Sequence, residues 1–130
     1  VSVVRFADHG VNLINSGLIA SKDTIARKGD LVRRFMRAST RALEEAEKNP
    51  EAAVDSLLAA QPKAGQRDTL LIGMKLTTPL YRTPNTTGQR PFRVSMKDVN
   101  ESLDLLVTYG GMEASTRGKA EDYVNLSFLP

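Results

Sequence analysis

The residues best able to do chemistry gather near the start of the chain, in Ala7–Thr24, ADHGVNLINSGLIASKDT. His9 is the single histidine of the protein and has Asp8 beside it. A His-Asp pair suits acid–base work or metal binding. One histidine without any cysteine, however, cannot furnish a convincing transition-metal site. Two readings of His9 therefore stand: a turn histidine, or a contact to a bound molecule. Asn12, Asn15 and Ser16 add amide and hydroxyl groups nearby. These either satisfy their own turns, as Asx motifs do, or recognise a neutral or zwitterionic small molecule. Polar, turn-prone stretches just before a main helix are places where sites tend to sit. The stretch reads as a crossing segment that lines a ligand cleft.

The remainder of the 130 residues excludes more than it offers. The absence of cysteine removes disulfides, thiolate metal sites and cysteine nucleophiles. Gly65, Gly73 and Gly88 form neither GxGxxG nor a P-loop, and no GxSxG is present. Serines and threonines are plentiful, but none sits in a triad-like setting. Nothing here specifies an enzyme, and no cofactor or catalytic residue is expected. The arginines between Arg27 and Arg41 could contact phosphates. They share their helix with acids at pairing distance, so a solvated face is the preferred reading. Net charge is +3, from 18 Lys plus Arg against 15 Asp plus Glu. Aromatics make up 5% and Trp is absent, so base-stacking platforms are poorly supplied. No apolar run approaches the roughly 18 residues of a membrane span.

The elements that must position this stretch follow from periodicity. Val1–Ala7 has the β-branched content of a strand, ended by Asp8-His9-Gly10. Gly17–Ser21 reads as a second short extended piece. Ser21 or Asp23 caps a short helical turn through Ala26, and Asp30 caps the main helix with Gly29 outside it. Leu31, Val32, Phe35, Met36, Ala38, Ala42, Leu43 and Ala46 form its apolar stripe. Arg33, Arg34, Arg37, Arg41, Glu44, Glu45 and Lys48 occupy the other face, with Arg41 at pairing distance from Glu44 and Glu45. Asn49-Pro50 stops this helix and starts a third, buried through Val54, Leu57 and Leu58. A loop follows over Pro62–Gln66, then a fourth helix from Asp68 to about Leu80. Arg82–Arg93 reads as an ordered surface loop. Ser95 caps a fifth helix, with Asp98 placed for a capping box, and Tyr109-Gly110-Gly111 ends it. The tail EDYVNLSFLP docks in extended or single-turn form. The expected fold is mainly α with a small β portion, about five helices after an extended N-terminal segment.

Four stretches in order carry a resemblance. ADHGVN followed by NSGLIASKDTIARKGDLVRRFMRAS is similar to the second crossover and long helix of ABC-transporter substrate-binding proteins. The relevant branch is the nitrate/sulfonate/taurine and thiamine-pyrimidine-precursor (NMT1/THI5-like) family. NPEAAVDSLL resembles the next helix, SLDLLVTYGGM the late helix with its Gly-Gly stop, and EDYVNLSFLP the terminal DYxxNxFLP signature. The late-helix position that is often Trp in this family is Val99 or Asn100 here, a departure.

The resemblance implies part of a two-lobed α/β fold of the type II periplasmic-binding kind, the lobes closing on a small ligand. Residues 1–24 would be the end of the second lobe and an interlobe crossing segment. Residues 25–130 would be the helical C-terminal part of the first lobe. Asp8, His9, Asn12, Asn15 and Ser16 would line the cleft, with no metal. A start at Val1 without Met, directly in a strand-like pattern, fits a piece of a longer protein whose N-terminal lobe is missing. The implied function is a bacterial solute-binding component, periplasmic or envelope-associated. Its ligand would be a nitrogen- or sulfur-containing molecule such as a pyrimidine precursor, a sulfonate or nitrate, and its partner the transporter permease. No nucleic-acid partner is expected. An unpaired first strand would invite dimerisation or segment exchange. The alternatives are a basic helical module binding nucleic acid or proteins, and a pyrimidine-forming enzyme. The lack of cysteine counts against the enzyme, whose fungal examples use a cysteine-rich motif.

Overall fold

The computed structural model describes residues 4, 6–11, 13–14 and 17–130. Among these residues there are six α-helices joined by turns and short 3-10 segments, and no strand. The helical expectation is met; the small β portion is not found in the described residues. Phe6–His9, expected to close a strand, is a 3-10 turn instead. Gly17–Ser21, expected as a second extended piece, belongs to no strand among the described residues. A strand is stabilised by its ladder, and β-branched composition alone does not supply one.

Helix α1 (Lys22–Arg27) begins where expected, because the Ser21 hydroxyl accepts the Thr24 amide at 3.1 Å. Helix α2 (Gly29–Lys48) starts two residues earlier than the capping reading placed it. Lys28 occupies the cap position with no side-chain cap bond, and Asp30 lies inside the first turn, paired with Arg33 at 3.4 Å. The physical reason is continuity: α1 hands over to α2 through Lys28, whose carbonyl already accepts from Val32. Gly29 also faces the ring of Phe128, 3.4 Å from where a β-carbon would stand. Helix α3 (Pro50–Ala60) is capped by Asn49, whose side chain accepts the Ala52 amide, with Pro50 opening the helix. Helix α4 (Arg67–Thr77) runs into a 3-10 turn over Thr78–Tyr81.

Helix α5 (Met96–Tyr109) is capped by Ser95, which accepts the Lys97 amide. The capping box does not form, because the Asp98 carboxylate is engaged by more distant partners. Gly111, at φ +76, turns the chain so that the Met112 amide reaches the Leu106 carbonyl. Helix α6 (Ala120–Tyr123) is the single turn of the tail.

Met36 and Ala46 of α2 and Val54 of α3 are buried, with α3 packed on α2 and α4 on α3. Val99, Leu103 and Ala120 form a core cluster, covered by Val94, Met96, Met112 and Val124. On α2 the buried ridge is Met36, Thr40 and Ala46, with Val32 and Leu43 half-buried. Leu31, Phe35, Ala38 and Ala42, expected inside, are exposed.

The loop from Arg82 to Arg93 ties α2 to α5. Arg82 makes a two-pronged pair with Glu47, and Arg90 pairs with Glu44 at 2.6 Å. On the other side, Thr83 and Asn85 each donate to Asp98 at 2.6 Å. Arg90 thus takes the Glu44 that helical spacing had offered to Arg41, and Lys48 takes Glu45 at 3.2 Å.

Candidate functional site

The N-terminal segment folds locally around a glycine. The 3-10 turn Phe6–His9 carries Asp8 and His9, both exposed. Gly10 follows at φ +78, a left-handed conformation that disfavours any residue with a β-carbon. The Val11 amide then closes the turn onto the Phe6 carbonyl at 3.1 Å. Further on, the Ile14 amide donates to the Ser102 hydroxyl at 3.1 Å. Ser102 is buried on α5 and donates in turn to the Asp98 carbonyl at 2.8 Å. One hydroxyl thereby uses its donor and an acceptor to tie the segment to α5. Beyond that point Leu18 is half exposed and Ile19 almost fully so, at 96%.

Between the Gly10 turn and α5 lies an open cleft of about 290 Å³, lined by Gly10, Glu101, Asp104, Leu105, Thr108 and Tyr109. Its size approaches that of small-molecule sites. Its carboxylates are partly committed: Asp104 accepts from Arg117 at 2.7 Å, and Glu101 lies 3.8 Å from Lys97. Among the described residues no group of acids and histidine could hold a metal ion.

Of the five residues singled out, Asp8 and His9 share one turn whose next residue, Gly10, walls the cleft. Asn12, Asn15 and Ser16 lie outside the described residues. Sequence reasoning overlooked two features. The first is the α5 face bearing Glu101, Asp104 and Thr108, whose three- and four-residue spacing was there to be read. The second is Asp98, a carboxylate only 2% exposed that gathers Thr83 and Asn85. Its one local signal was an acid three residues after a Ser cap, the same signal that suggested a capping box.

Comparison with known proteins adds one finding. Residues 1–53 match the family model described as NMT1/THI5 like. The match contains the N-terminal segment, α1 and α2, hence the first of the four resembling stretches whole and the start of the second. The two later stretches lie beyond it. No curated protein matches the chain, and no solved structure does. The matched family supports a solute-binding or related role, and among the described residues no helix is long and apolar enough to cross a membrane.

Proposed function

We propose that this chain is the C-terminal, ligand-binding part of a solute-binding component of an ABC transporter, acting by capture and not by catalysis. The observation that carries the reading is the family match over residues 1–53, which covers the whole Gly- and Asn-rich segment and the helices that follow. In this reading residues 1–24 are the end of the second lobe and the interlobe crossing segment, and residues 25–130 are the helical C-terminal part of the first. Asp8, His9, Asn12, Asn15 and Ser16 face the ligand, hydrogen bonds from the amides and hydroxyl fix its orientation, and closure of the lobes excludes water. The Ile14–Ser102 bond supports the reading physically, since it anchors the segment between Asn12 and Asn15 in sequence.

The ligand class is a small nitrogen- or sulfur-containing molecule: a pyrimidine precursor, a sulfonate or nitrate. The macromolecular partners are the permease and the remaining lobe of the same protein, in the periplasm or at the cell envelope. A thermal-shift screen tests this, run on the chain and on the protein encoded by its complete reading frame. A concentration-dependent rise in melting temperature with one of the three ligand classes is expected. Asn15→Ala should then weaken binding about tenfold, the loss of one net hydrogen bond. Indifference of the complete protein to all three classes would overturn the reading.

A further inference from the structure

The exposed side of α2 combines two ridges that run side by side. One is apolar, with Leu31 56% and Phe35 53% exposed, followed by the small residues Ala38 and Ala42. The other is basic and carries Arg34, Arg37 and Arg41, all exposed. The arginines have no ion-pair partner among the described residues. Helical spacing alone would pair Arg41 with Glu44 or Glu45, but those acids are held by Arg90 at 2.6 Å and Lys48 at 3.2 Å. The fold has therefore withdrawn the neighbouring carboxylates and left three positive charges along an apolar stripe.

We infer that this face of α2 docks an acidic amphipathic helix of a separate partner protein. Charge complementarity requires carboxylates that repeat at three- and four-residue spacing, opposite Arg34, Arg37 and Arg41. The apolar ridge requires a leucine-like stripe beside them. The shape also points to a helix: Ala38 and Ala42 permit close approach at one end, while Leu31 and Phe35 protrude as knobs at the other. A phosphate backbone would leave Leu31 and Phe35 without a counterpart. The inference goes beyond the proposed solute-binding role and does not depend on it.

The test uses a fluorescent helical peptide bearing a glutamate ridge beside a leucine ridge, a matching peptide with lysines for glutamates, and phosphatidylglycerol vesicles. The parent chain binds the glutamate peptide at least ~10-fold more tightly than the lysine peptide. The triple reversal Arg34→Glu, Arg37→Glu, Arg41→Glu inverts that preference, with an unchanged helical circular-dichroism spectrum because all three positions are exposed. Phe35→Ser weakens glutamate-peptide binding by about tenfold, which a purely electrostatic contact would not show. Three results would each overturn the inference. One is a reversal variant that keeps the parent preference. Another is a Phe35→Ser variant that binds as the parent does. The third is tighter binding of the parent to vesicles than to the glutamate peptide, which assigns the face to a membrane surface.

Discussion

Two polar, turn-rich segments of this chain look alike in sequence and are held very differently. The segment 7–24 and the loop 82–93 both mix Gly, Asn, Ser or Thr, although 7–24 also carries Val11, Leu13, Ile14, Leu18 and Ile19 while the loop has only Phe92. The loop is fastened on both sides, by Glu44 and Glu47 of α2 and by Asp98 of α5, and it buries Thr86 and Pro91. It even holds Phe92 at φ +65, a conformation that a non-glycine residue keeps only where its surroundings enforce it. In the N-terminal segment the Ile14 amide is tied to Ser102 of α5, and Leu18 and Ile19 are left in the open. One segment is a structural brace. The other is the segment to which the proposed function assigns the ligand.

Substitutions can break that comparison. The largest effect is expected at Asp98. Replacing it by alanine leaves the Thr83 hydroxyl and the Asn85 amide without their acceptor, and this should lower unfolding free energy by about 3 kcal/mol in chemical denaturation. Arg82→Ala comes next, at about 1–2 kcal/mol, because its two-pronged pair with Glu47 is only about a quarter exposed.

The Arg90–Glu44 pair is more open, and its loss shows best in pH dependence. The Arg90 hydrogen bond holds the Glu44 carboxyl below its ordinary value of 4.5, and Arg67 holds Asp55 below 3.8. A carboxyl depressed in the folded state adds stability above its ordinary pKa, and that contribution fades as pH falls toward the folded value. The melting temperature should therefore hold level down to about pH 5 and fall below 4.5. In Arg90→Gln that acid-side fall is shallower. The smallest effects belong to the other segment. His9→Ala and Ile19→Ser should each change unfolding free energy by less than about 0.5 kcal/mol, being exposed. A loss of several kcal/mol at either position would mean that this segment, too, is a brace.

Legibility followed the range of each interaction. The Ser21, Asn49-Pro50 and Ser95 starts and the Gly110-Gly111 stop could be read because caps act over a few residues. The Glu44–Arg90 and Glu47–Arg82 pairs could not, since 46 and 35 residues separate their partners. Local spacing instead matched Glu44 with Arg41, and it read Asp98 as half of a capping box. The strand expected over Val1–Ala7 rested on β-branched content without a partner strand, and its described end is a 3-10 turn. On α2 the period was read correctly, but it could not tell which apolar residues would find a neighbour. Met36 did and Phe35 did not. For the candidate site, the turn chemistry around Gly10 was legible and the spacing of Glu101, Asp104 and Thr108 was there to be read, but that this α5 face lies across the cleft came only from packing.

The central claim is that segment 7–24 binds the ligand while loop 82–93 only braces the fold. Amide chemical-shift mapping tests it most directly, with the isotope-labelled protein titrated by the ligand that gives the largest thermal shift. The account predicts saturable shifts concentrated in residues 7–24 and on the α5 face that lines the cleft, with residues 82–93 unmoved. Saturable shifts centred on residues 82–93, with 7–24 silent, would contradict it.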